Sequence, residues 1–135
     1  MISYVTPFYA AALGLLFFAL SVRTLRLRRE LKIGIGDAGN ETMLRAIRVH
    51  ANFAEYVPLT LLLAALLELS GAPSVLVHAV GACLLTGRIA HAYGVSKLSE
   101  NFRYRVLGMA LTFTALVGGA LALLVLAAMT ALRTA

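Results

Sequence analysis

Tryptophan is absent from the sequence, cysteine occurs once, and only six residues are acidic. A lone Cys83 excludes an intrachain disulfide and a zinc cage of several thiolates. In its apolar setting it reads as a small buried hydrophobe. Charge of either sign is scarce: 13% of the 135 residues are Asp, Glu, Lys or Arg, where a soluble domain carries about a quarter. A soluble fold of this length has too little interior to absorb a chain that is 61% hydrophobic. Residues 1–22 carry no charge, and neither do residues 106–132. Each run is long enough to cross a ~30 Å hydrocarbon layer at ~1.5 Å per residue. The first run lacks the basic flank of a cleavable signal and exceeds such a signal's apolar core, so it is expected to remain as a helix.

What is present reads as an all-α, integral membrane four-helix bundle in a single domain, 1–135. Helix 1 is expected over about residues 3–29, closing on Arg23, Arg26, Arg28 and Arg29. A loop with Gly34, Gly36, Gly39 and Asn40 follows. Helix 2 spans about 42–69 with Pro58 inside it, and Ser70-Gly71-Ala72-Pro73 forms a short turn with Pro73 at the first helical position. Helix 3 covers about 74–93, ending near Gly94, and a polar link through Lys97 leads to helix 4 over about 102–132. Eleven of the twelve Lys and Arg residues sit in or beside the helix 1–2 and helix 3–4 connections, and Arg133 alone lies elsewhere. By the positive-inside rule those two connections face the cytoplasm and both termini face the other side. The net charge of +6 therefore reads as topology and not as nucleic-acid binding, for which there is no soluble domain.

Polar residues inside a membrane helix are expensive and call for a partner or a ligand. Arg48, Asn52 and Glu55 fall at i, i+4 and i+7 on helix 2, one face of the helix, and Arg45 extends the stripe by a turn. With Glu68 at the outer interface, Glu55 lies roughly 20 Å inward by helical rise. One reading is an internal Arg–Glu ion pair that fixes helix register. The other is a polar pocket for an anionic ligand, which the further residues His50, Tyr56, Arg88, His91 and Arg105 favour, because one ion pair does not need so many cations. His78, near the outer end of helix 3, is expected to have no polar neighbours and reads as interfacial. No pair of His and Glu has a metal-ligand spacing, so no metal is expected. Gly34-Ile35-Gly36-Asp37-Ala38-Gly39 matches GxGxxG, but it follows a membrane helix and not a strand, and is a loop. Asn40-Glu41-Thr42 matches a glycosylation sequon on the side where it would not be modified.

The stretch from Arg45 to Pro58 resembles the signature of the MAPEG family, the membrane-associated proteins of eicosanoid and glutathione metabolism. Arg48, Asn52, Glu55, Tyr56 and Pro58 match its pattern. The helix count, the long basic first loop, the tight second turn and an Arg heading helix 4 extend the resemblance over nearly the whole chain. The resemblance implies a homotrimer with glutathione, as co-substrate, bound between protomers near the cytoplasmic face. Arg48, Asn52, Glu55 and Tyr56 would then hold the γ-glutamyl end, and Arg28 and His50 the glycine end. Arg105, in register with Gly108 where Arg103 is not, would stabilise the thiolate as the catalytic residue. Tyrosines that family enzymes carry late in helix 3 are replaced by His91, with Tyr93 on another face.

The function implied is a membrane-bound glutathione-dependent transferase or peroxidase acting on lipophilic electrophiles that arrive from the surrounding membrane lipids. Not every family member catalyses, so a non-catalytic lipid-binding or scaffold protein of the same fold is the alternative. A small proton-coupled exporter also has four helices and one membrane Glu. Such proteins carry that acid in helix 1 and show weak charge bias, unlike this chain.

Overall fold

The computed structural model describes residues 5–99 and 101–134, and all of its regular structure among them is helical. Four helices follow one another: α1 Val5–Leu31, α2 Glu41–Leu69, α3 Ser74–Ser96 and α4 Phe102–Thr134. The expected start of helix 1 near Ser3 and the link residue Glu100 lie outside the described residues.

Each helix ends for a local reason. Arg28 and Arg29 sit in the last turn of α1, where a cation faces the negative end of the helix dipole. The helix then closes with Ile33 N–H donating to the Arg28 carbonyl at 3.0 Å and Lys32 in the left-handed region at φ 56°. That is a Schellman closure on a residue other than glycine, which is why α1 runs two residues past its expected end. The 34–39 segment is a turn, with Gly36 and Gly39 at φ 69° and 74°. Asn40 caps α2, its side-chain oxygen accepting from Met43 N–H at 3.0 Å. A second Schellman closure ends α2, with Ala72 N–H on the Leu67 carbonyl at 3.0 Å and Gly71 at φ 78°. Pro73 is the cap residue before α3 and not its first helical residue.

Gly94 was expected to stop helix 3, yet α3 continues to Ser96. The glycine serves packing instead: a Cβ there would come 2.7 Å from the backbone nitrogen of Arg105. Gly87 and Gly108 do the same deeper in, a Cβ on Gly108 falling 2.7 Å from the Gly87 carbonyl. Three small residues thus let α3 and α4 touch backbone to backbone, the usual device where lipid supplies no hydrophobic drive between helices.

Side-chain bonds set the helix directions. Glu68 near the end of α2 accepts from Val5 and Thr6 N–H at the start of α1, so these two helices are antiparallel. Tyr9 meets His78 near the start of α3, and Arg45 near the start of α2 reaches the Val95 carbonyl near the end of α3. Both polar connections therefore lie at one end of the bundle. The core holds Leu13, Val49, Leu67, Val77 and Leu84, each at most 1% exposed. Outward faces are apolar as well, with Phe18 67% and Leu124 66% exposed. All four helices are long and apolar enough to cross a membrane.

Candidate functional site

The stripe on α2 opens onto a cavity of about 210 Å³ at the loop end of the bundle. Arg45, Arg48, Asn52 and Glu55 form its α2 wall, His91 and Val95 its α3 wall, and Arg105 enters from α4. Helical spacing explains the first wall, since i, i+4 and i+7 share a face. The glycine contacts explain the others: with Gly94 against the Arg105 backbone, the head of α4 is drawn over the end of α3.

The cavity residues divide by what the protein already gives them. Arg45 pairs with Glu41 at 3.0 Å and donates to the Val95 carbonyl at 3.4 Å. His91 is buried. Arg48 and Glu55 are exposed, and among the described residues neither makes a hydrogen bond or an ion pair. The Arg–Glu pair that would have fixed helix register is thus not formed within this motif. A guanidinium and a carboxylate seven residues apart on one helix face stand open to the same cavity.

Asn52 is held from behind. Arg88, 1% exposed, donates from Nη1 to Asn52 Oδ1 at 2.7 Å and from Nε to Thr112 Oγ1 at 3.0 Å. A weaker contact joins its Nη2 to Met109 Sδ at 3.5 Å. Its guanidinium lies 5.9 Å from the centre of the Tyr56 ring. Thr112 in turn donates to the Gly108 carbonyl at 2.7 Å. Arg88 therefore sits behind the cavity wall, not in it, and ties α3 to α2 and α4.

Other singled-out residues serve elsewhere in the single chain. Arg28 donates from Nη1 to the carbonyls of Gly34 at 3.2 Å and Gly36 at 3.1 Å, pinning the loop. His50 is on the opposite side of α2, stacked on Phe17 at 4.7 Å and bonded to Ser21 Oγ at 3.0 Å. Tyr56 packs edge-on against Phe113 at 5.4 Å. Arg103 does not line the cavity, whereas Arg105 does. His78 corrects its reading as a residue without polar company: its Nδ1 lies 3.1 Å from Tyr9 Oη. Sequence reasoning missed Thr112 and the buried position of Arg88. The signal available was Gly87 before Arg88 and Gly108 one turn before Thr112, small residues marking where two helices close around a polar group.

The profile of the MAPEG family matches residues 6–129. The chain is 37% identical over 113 residues to the inner membrane protein YecN of Escherichia coli K12, covering 84% of this chain and 85% of that one. The YecN sequence of a second Escherichia coli strain matches equally. No solved structure matches the chain significantly. Four spanning helices and an inner membrane protein as relative identify an integral, multi-pass membrane protein.

Proposed function

The chain belongs to the MAPEG family, and from that premise we propose that it is a membrane-bound glutathione-dependent transferase or peroxidase acting on lipophilic electrophiles. One observation carries the reading: Arg48 and Glu55 stand open to one cavity with no protein partner among the described residues. Unpaired charges at membrane depth are costly, and a zwitterionic ligand offsets both at once. The γ-glutamyl end of glutathione carries a carboxylate for the Arg48 fork and an ammonium for Glu55. Arg105, across the cavity on α4, is the residue for the sulfur. A thiol of pKa ~8.5 is mostly protonated at neutral pH, and an adjacent guanidinium favours the thiolate.

The size of the cavity supports assembly. At about 210 Å³ it falls below the ~300 Å³ at which pockets for small ligands begin. Arg28 and His50 are outside its walls, so they would serve glutathione only from a neighbouring copy. Both points fit a homotrimer with its sites between protomers, at the cytoplasmic end of the bundle with both termini on the other side.

A lipid-binding protein without catalysis is the second reading. The crevice between α1 and α2, about 270 Å³ and lined by Leu13, Gly14, Phe17, Val57 and Pro58, favours it as a seat for an acyl chain. Titration of glutathione into detergent-solubilised protein separates the two. The transferase reading expects saturable binding that Arg48→Ala or Glu55→Gln weakens about tenfold or more, the worth of one charged hydrogen bond. Glutathione affinity unchanged in both variants removes that reading.

A further inference from the structure

Arg88 is a guanidinium buried in a membrane bundle that makes no ion pair among the described residues; its partners are the Asn52 amide and backbone carbonyl, the Thr112 hydroxyl, the Met109 sulfur and the Tyr56 ring. Taking a charge out of water is costly, and even complete buried ion pairs can often be replaced by apolar side chains of similar volume without loss of stability. Fold maintenance alone is thus a weak reason for an arginine here. What the guanidinium does that an apolar residue does not is orient an amide. Arginine carries five donors and no acceptor. The Asn52 group facing it at 2.7 Å must therefore be the oxygen, which removes the usual ambiguity between amide oxygen and nitrogen. With Oδ1 and the backbone carbonyl of Asn52 both turned to Arg88, the Nδ2 group is left for the cavity that Asn52 lines.

We propose that Arg88 is a positioning residue that locks the Asn52 amide so that it presents only N–H donors to the cavity, committing that point of the wall to a ligand carboxylate. This rests on the glutathione reading for the identity of the ligand, and on geometry alone for the lock. The Nε bond to Thr112 and the Thr112 bond to the Gly108 carbonyl keep the guanidinium from turning away. The lock thereby stands beside the Gly87–Gly108 contact, deeper along the α3–α4 seam whose Gly94 end shapes the cavity.

The chain has three asparagines, Asn40, Asn52 and Asn101, so protein labelled with 15N-asparagine gives three side-chain amide pairs by NMR in detergent micelles. The Asn52 pair is identified by its loss in Asn52→Asp. In ligand-free wild type it is expected as one sharp pair, the sign of an amide held in one orientation. Arg88→Met should broaden or shift it while leaving the Asn40 pair unmoved, and Arg88→Lys, which keeps a charged donor, should partly restore it. An Asn52 pair unchanged in Arg88→Met overturns the proposal, whether or not glutathione binds. The ligand half is read with Asn52→Asp, which still accepts from Arg88 and so keeps the lock and the fold, but turns the cavity donor into an acceptor. Glutathione binding should fall about tenfold or more, with thermal stability retained. The wild type should also prefer glutathione over its analogue amidated at the γ-glutamyl carboxylate, a preference that Arg88→Met reduces and, with Arg48 still in place, does not abolish. Should Arg88→Met not fold, undiminished glutathione binding in folded Asn52→Asp overturns the proposal. A wild type that binds no glutathione removes the ligand reading and leaves the amide lock to be decided by NMR.

Discussion

Among single residues, the contrast between Arg88 and Arg105 shows how differently one side chain is used. Arg88 is sealed in and engaged on several sides, whereas Arg105 is exposed at the cavity rim. Of the two, the second alone is open to a ligand in the cavity. Arg105→Ala is expected to abolish the ultraviolet thiolate absorbance that appears when glutathione is added to the protein, while leaving binding of the tripeptide itself within about tenfold. A thiolate signal of full size in that variant would assign the sulfur to another residue. The cavity stripe was legible in the sequence because helical spacing alone gathers Arg48, Asn52 and Glu55. The separation of Arg88 from the cavity was not. Periodicity places a residue on a face of its own helix and is silent about how closely the next helix covers that face.

Elements carry the next level of order, and here glycine does two jobs that look alike in a sequence. Gly71 ends a helix through its positive φ, whereas Gly94 and Gly108 lie inside helices and let backbones meet. Position relative to the apolar run distinguishes Gly71. Nothing local distinguishes Gly94, which is why the end of helix 3 was expected too early. Gly108→Leu is expected to force α3 and α4 apart, since even its first carbon would lie 2.7 Å from the Gly87 carbonyl. The variant should show a clearly lowered melting temperature in detergent and lose the cavity's ligand binding, as overpacking costs typically ~1–3 kcal/mol or more. Gly118→Ala is the control: nothing lies within 4 Å of its added carbon, and its melting temperature should equal or exceed that of the wild type, alanine being the better helix former. Equal melting temperatures for both variants would show that the α3–α4 contact is looser than described.

At the scale of the whole molecule, the bundle leaves more apolar surface outside than it hides. Only 11% of the apolar window of α4 is buried within the chain, and α1 packs on α2 and α3 but not on α4 among the described residues. Lipid or further copies of the chain cover those faces. The cation count sets an expectation of sidedness that is open to direct measurement. In a Cys83→Ala background, Ile35→Cys probes the α1–α2 loop, where Ile35 is 95% exposed, and Ser70→Cys probes the α2–α3 turn. A membrane-impermeant maleimide should label Ser70→Cys in cells whose host membrane is intact, and Ile35→Cys only once that membrane is permeabilised. The reverse pattern would invert the topology. The fold at this scale was almost wholly legible, because four apolar runs and a biased distribution of Lys and Arg leave few arrangements. An expectation of assembly came only from the family resemblance, since no residue pattern in one chain says which apolar face meets lipid and which meets a copy.

The carboxylate of Glu68, bound to the first described amides of α1, bears on biogenesis. Those N–H groups find this acceptor only when the far end of α2 has arrived beside them, 62 and 63 residues later in synthesis. Until then α1 presents bare amide donors at its leading edge, a penalty in any setting without water. The two helices are thus matched as a hairpin, turned at the arginine-rich loop and tied at its open end by a glutamate that is made last.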